Sequence, residues 1–369
     1  MERMNATGNS SFGYFTGYPS ANFSKLDFSN DTAAVTTNIS VGSEYVWYIS
    51  AASAKEFGLN NFGPALVTNT PEPFFPTTHV GYFGGSENPA KSSVDRINYF
   101  NDTATAVTKG PLSAARKQLA ATGNQSFGYF GGGDPGTSTV DRIDYSNDTA
   151  TASTKGPLSV ARKGLAATGN ASFGYFGGGD PGPKSTVDRI DYSSDTGTAP
   201  SKGPLSNARD DLAATGNQSF GYFGGGWVYT EIIDRIDYSN DTATAVAKGD
   251  LDMGSPSGSS RLAATGNSNF GYFGGGYSKR SNVCRIDYSN DTATASPKGP
   301  LNQGRHELAA TGSADFGYFG GGEGPSDSVS TVDRIDYSND TATASPKGPL
   351  SISRDFLAAC SSLANGLPQ

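Results

Sequence analysis

Short apolar clusters alternate with glycine- and asparagine-rich turns along almost the whole chain, and the alternation itself recurs. Its clearest unit is Leu165–Leu205, LAATGNASFGYFGGGDPGPKSTVDRIDYSSDTGTAPSKGPL. Leu165–Thr168 reads as a small-residue strand, and Gly169-Asn170 supplies the positive-φ positions of a tight hairpin. Phe173–Phe176 reads as an aromatic strand ending in three glycines, and Val187–Tyr192 alternates apolar and polar residues with period 2. A Ser-Asn-Asp-Thr-type turn then leads to a Thr/Ala/Ser/Pro-rich fourth strand closed by Lys202–Leu205.

The tyrosine of each Gly-Tyr-Phe triplet falls at Tyr14, Tyr82, Tyr129, Tyr175, Tyr222, Tyr272 and Tyr318, so there are seven copies. From Tyr82 onward the intervals are 47, 46, 47, 50 and 46 residues; the first, 68, is longer by one insertion. Four short strands per repeat at this period describe the blade of a β-propeller.

The repeat resembles the kelch family, whose marks are a di-glycine ending the second strand and a tyrosine in the third. Here the di-glycine runs from Gly84-Gly85 to Gly320-Gly321, and the third-strand tyrosines are Tyr99, Tyr145, Tyr192, Tyr238, Tyr288 and Tyr337. The fourth-strand tryptophan common in kelch blades is absent, and copy one has Thr16-Gly17 and Phe28 instead of the marks. The expected fold is therefore all-β: one seven-bladed kelch-type propeller over residues 1–369 with four-stranded blades. Copy one spans about 1–37, and copies two to seven run at about 76–112, 119–158, 165–205, 212–251, 262–301 and 308–350. Between them, Asn38–Phe75 matches no sister copy; Pro64–Thr68 reads as the displaced first strand of copy two, and the rest as an aromatic-rich insertion. Residues 356–362 repeat the first-strand sequence, which predicts a terminal clasp closing blade one.

Composition narrows function by exclusion. A net charge of −8 argues against nucleic acid and anionic membranes as partners, and no apolar run approaches the ~18 residues of a membrane-spanning helix. The N-terminus lacks an apolar signal region. Cys284 and Cys360 stand where sister copies have Asp and Thr, and read as unpaired small core residues. The only histidines, His79 and His306, lie in different copies, so no metal or other cofactor is expected and no Ser-His-Asp arrangement can be proposed. The Gly-Gly-Gly runs lead into strands rather than helices, which excludes a phosphate loop.

Two sets of residues carry candidate roles. The Asp-Arg-x-Asp series, with Arg142/Asp144, Arg189/Asp191, Arg235/Asp237 and Arg334/Asp336, repeats around the ring and reads as a structural network, since a catalytic site is singular. The second set comes from comparing copies. The Thr-Gly-Asn and Asn-Asp-Thr turns are nearly identical throughout, whereas the loops after the glycines diverge to DPGTST, DPGPKST, WVYTEI, YSKRSN and EGPSDSVST. Copy five also replaces Gly-Pro-Leu-Ser-x-x-Arg by a longer segment, Gly249–Arg261. Trp227, Tyr229, Tyr277, Lys279 and Arg280 cluster in copies five and six, an aromatic-plus-basic set suited to a sugar ring or a protein hot spot.

The wording DRIDYSNDTATAS…KGPL…LAATGN is similar to kelch-like proteins of marine bacteriophages and other viruses. That resemblance implies a non-enzymatic virion component, tail-associated or adhesin-like. Its implied partners are other virion proteins, a host-surface glycan or protein, or further copies of itself. An alternative is a carbohydrate-active lyase or hydrolase, which needs convergent acids; Glu231, Glu307 and Glu323 are the candidates and are assigned to different blades. Another is an intracellular kelch protein-interaction module.

Overall fold

The computed structural model describes residues 79–87, 89–227, 231–254 and 259–363, and the backbone of four strands between residues 4 and 40. Residues 1–73 and 74–369 are two separate compact units.

The larger unit is a six-bladed propeller, not the seven-bladed one expected. Blade I consists of Ala358–Ser361, Val80–Gly84, Val94–Asn98 and Val107–Lys109. Blades II to VI correspond to copies three to seven, and each is an antiparallel meander running outward from its Leu-Ala-Ala-Thr strand. Blade III carries Pro200 in its outermost segment, which is reduced to a single bridge between Asp188 and Ser201.

The clasp exists but closes a different blade. Ala358↔Gly84 and Cys360↔Tyr82 place the C-terminal strand innermost in blade I, which is copy two. It occupies the position expected for Pro64–Thr68, which lies outside the described residues. Copy one is not in the ring. Met4–Gly8, Phe12–Gly17, Asn22–Asp27 and Thr36–Ser40 form their own four-stranded sheet, with the blade register kept at Thr7↔Tyr14. The rest of the 38–75 insertion lies outside the described residues.

The ring closes at six because copy seven finds its neighbour in copy two. In every blade a turn aspartate receives donors from the preceding blade. Asp195, for example, accepts from Tyr129 Oη at 2.9 Å, Arg142 Nη1 at 2.7 Å and Lys155 Nζ at 3.5 Å. Arg334 Nη1 and Tyr318 Oη make the same contacts to Asp102 of blade I, at 2.7 and 3.0 Å. Tyrosines stack across each junction, as Tyr175 does on Tyr238 with centroids 4.7 Å apart, within the offset-stacking range.

The Asp-Arg-x-Asp series thus divides its labour. Arg142, Arg189, Arg235 and Arg334 bridge to the next blade while lying over Phe127, Phe173, Phe220 and Phe316. Asp144, Asp191, Asp237 and Asp336 do not pair with those arginines. Each accepts the amide and hydroxyl of the serine two residues on, and Asp144, Asp237 and Asp336 thereby cap a short 3-10 turn. The hydrogen bonds from Ser193 hold Asp191 below the usual carboxylate range.

Backbones also meet between blades without room for a methyl group. A Cβ on Gly203 would lie 1.8 Å from the Ala243 carbonyl oxygen of the next blade. We therefore expect Gly203→Ala to cost about 3 kcal/mol through overpacking. Denaturant unfolding checks this, and an unchanged midpoint would refute the reading of that junction.

Candidate functional site

The inner strands enclose a narrow lumen of about 100 Å³ lined by Ala121, Ala167, Ala214, Ala264, Ala310 and Ala359. At the end from which the divergent loops emerge, each blade contributes the residue just before its inner leucine. These are Gln118, Gly164, Asp211, Arg261, Glu307 and Phe356, all with φ between 49° and 61°. The left-handed conformation turns each amide toward the neighbouring blade. Gln118 N donates to Phe356 O, Phe356 N to Glu307 O, Glu307 N to Arg261 O, and Arg261 N to Asp211 O. Asp211 N then donates to Gly164 O and Gly164 N to Gln118 O, which closes a collar at 2.7–2.9 Å per bond. Within it lies a cavity of about 80 Å³.

Around the collar runs a rim built from the residue preceding each collar position and the residue following the glycines. In blades II and III these are Lys117 with Asp134 and Lys163 with Asp180, joined by backbone bridges. In blade IV Trp227 N donates to Asp210 O, in blade V Tyr277 N to Ser260 O, and in blade VI Glu323 N to His306 O. Glu87 N donates to Asp355 O in blade I. One side of the rim is therefore charged and the other aromatic.

The aromatic side gathers much of the divergent chemistry. Trp227 and Tyr277 meet edge to face at 6.0 Å, and Tyr277 stacks on His306 at 6.2 Å. The Arg261 guanidinium lies 6.0, 5.8 and 5.5 Å from the rings of Trp227, Tyr277 and Phe356, all within cation–π reach. It is held by Asp211 at 3.1 Å and Glu307 at 2.5 Å. Burial works against the Arg261 charge, but Glu307 and Asp211 outweigh it and raise its pKa. Burial lifts Glu307 and Asp211 above the usual carboxylate range despite Arg261. Asp210 is pushed up to about 6 by burial and by its neighbours Asp211 and Asp180.

Of the five residues singled out from the sequence, Trp227 and Tyr277 form the rim's aromatic wall. Lys279 lies beside them, paired to Glu323 at 2.8 Å. Arg280 turns toward the Met253 carbonyl at 3.4 Å. Tyr229 lies outside the described residues. Glu307 and Glu323 do not belong to different blades: both flank His306 of blade VI, at 3.5 and 3.7 Å. Ligand atoms of this trio lie within 4.8 Å of one another, but Arg261 and Lys279 already neutralise its two carboxylates.

Sequence reading missed Gln118, Asp211, Arg261 and Phe356. Arg261 was aligned with the repeat arginine, which is a different residue in space. That arginine (Arg116, Arg162, Arg209, Arg305 and Arg354) is buried against the first aspartate of Asp-Arg-x-Asp or its equivalent. In blade V Ser259 holds the position, accepting from Gly226 N as Arg209 accepts from Gly179 N.

No family model matches the chain, and no characterised protein is similar to it in sequence. Its fold is widely shared among solved structures. One of them, described as "Structure of YjhT", aligns with a TM-score of 0.55 at 12% identity, covering 68% of this chain and 88% of that one. Likeness at that identity establishes the propeller alone.

Proposed function

We propose that the chain is a kelch-type binding propeller without chemistry of its own, which engages a glycan or protein surface through the collar and rim. The carrying observation is where the copies differ. Six blades of near-identical wording diverge at this mouth, and there Trp227, Tyr277, Phe356 and Arg261 converge. Aromatic faces beside fixed polar groups suit stacking on a sugar ring with hydrogen bonds to its hydroxyls. The mouth cavity of about 80 Å³ is far below the roughly 300 Å³ of small-molecule pockets, so the ligand lies across the rim. This supports surface recognition over the lyase or hydrolase alternative. A virion role, tail-associated or adhesin-like, rests on the wording of the repeat.

The test is a glycan-array and host-cell binding screen of the folded protein beside a Trp227→Ala, Tyr277→Ala variant. Binding should fall at least about tenfold in the variant, the loss of two central aromatic contacts. Absence of binding by folded wild-type protein would sink the adhesin reading, and turnover of a bound sugar would restore the enzyme.

A further inference from the structure

Resting on that reading, we propose that the ligand taken at this mouth is an uncharged sugar, and that acidic or sulfated glycans are excluded. The collar and rim comprise eighteen positions, three from each blade. They hold eight carboxylates: Glu87, Asp134, Asp180, Asp210, Asp211, Glu307, Glu323 and Asp355. Against these stand Lys117, Lys163 and Arg261 within the set, and Lys279 and Arg280 beside it. With histidine neutral, the eighteen positions carry an excess of five negative charges, which Lys279, Arg280 and the two residues equivalent to Arg280, Lys91 and Lys184, reduce to one.

The cations of the collar and rim, with Lys279 and Arg280, are also committed. Arg261 is held between Asp211 and Glu307, and Lys279 by Glu323 at 2.8 Å. Lys117 pairs with Glu87 and Lys163 with Asp134. Arg280 points to a backbone carbonyl. An anionic ligand seated on the collar and the aromatic side of the rim must therefore break an existing pair or lie unpaired among carboxylates, and like-charge juxtaposition strongly disfavours the wrong partner. Arg261, the residue that looks most like an anion receptor, is the most fully satisfied.

A second observation agrees. Asp210 Oδ1, beside Trp227, is shielded from solvent and has no hydrogen-bond partner among the described residues. Burial, with Asp211 and Asp180 nearby, raises its pKa to about 6, so its charge is held at a cost. A further negative charge there would compound an existing repulsion, whereas a hydroxyl donor would relieve it.

The experiment compares arrayed hexose oligosaccharides with their singly sulfated counterparts. Binding is read at 50 mM and 500 mM salt on wild-type protein and on Asp210→Asn and Glu323→Gln. The neutral member should bind at least about tenfold more tightly at low salt, with the gap shrinking at high salt as screening shortens. Each variant should narrow the gap at low salt. A sulfated member binding equally or more tightly overturns the charge inference while leaving the glycan reading standing. No binding to either member by folded protein overturns both. The wild-type salt comparison decides the matter even if a variant fails to fold.

Discussion

A chain ended at Asp355 will not fold into a propeller. The missing strand, Ala358–Ser361, is the inner strand of blade I, paired along Val80–Gly84. Its loss exposes an unpaired edge at the centre of the ring, where neither water nor a sister strand can satisfy it. Tyr99 loses the Ser361 Oγ contact at 2.8 Å, and Leu357, buried against blade VI, is gone. The collar opens as well, because Phe356 links Glu307 to Gln118. The expected result is loss of the cooperative thermal transition, with aggregation through the exposed strand. Adding a peptide of residues 356–363 during refolding should restore the transition. A truncated chain with an unchanged melting profile would show that the ring does not depend on its clasp.

The second large effect concerns charge in the core. Arg162 and Asp188 are both fully buried and meet at 2.7 Å, while Arg162 Nη1 also donates to the carbonyls of Gly178 and Thr186. Burial lowers the Arg162 pKa and the Asp188 carboxylate opposes that shift. Arg162→Met leaves Asp188 without its cation in a dry site and takes a donor from three carbonyls, those of Gly178, Thr186 and Phe176, so it should cost about 3–5 kcal/mol in equilibrium unfolding. Arg162→Met combined with Asp188→Asn should recover part of that loss. Blade V already contains such a double replacement: Ser259 stands for the arginine, Cys284 for the aspartate, and Met253 lies 3.4 Å from the cysteine sulfur. The pair left together. If the single variant proves as stable as wild type, the bridge is not what joins the loop to its blade.

The blade itself was legible because its period, turn residues and alternation all follow from local strand physics. The number of blades was not. Counting copies cannot show whether the first one enters the ring, since closure depends on which turn aspartate Arg334 reaches. The clasp was legible as a spare first strand, but its target was not: it pairs along Val80–Gly84 of copy two rather than with copy one. At the mouth, divergence after the glycines led to Trp227 and Tyr277. The collar left an equally plain signal, because the residue before Leu-Ala-Ala is Gln, Gly, Asp, Arg, Glu and Phe in turn. Copy five hid it by placing an arginine where the eye expects the repeat arginine.

The collar has a consequence for how such a molecule acquires individuality. Its hydrogen bonds use only main-chain atoms, so within the limit that positive φ sets on β-branched residues, the scaffold accepts many different side chains. Duplication copies the architecture faithfully, and mutation at a single codon per blade then rewrites the opening without disturbing the inheritance of the fold. Six such codons make the mouth a combination lock whose digits change one at a time.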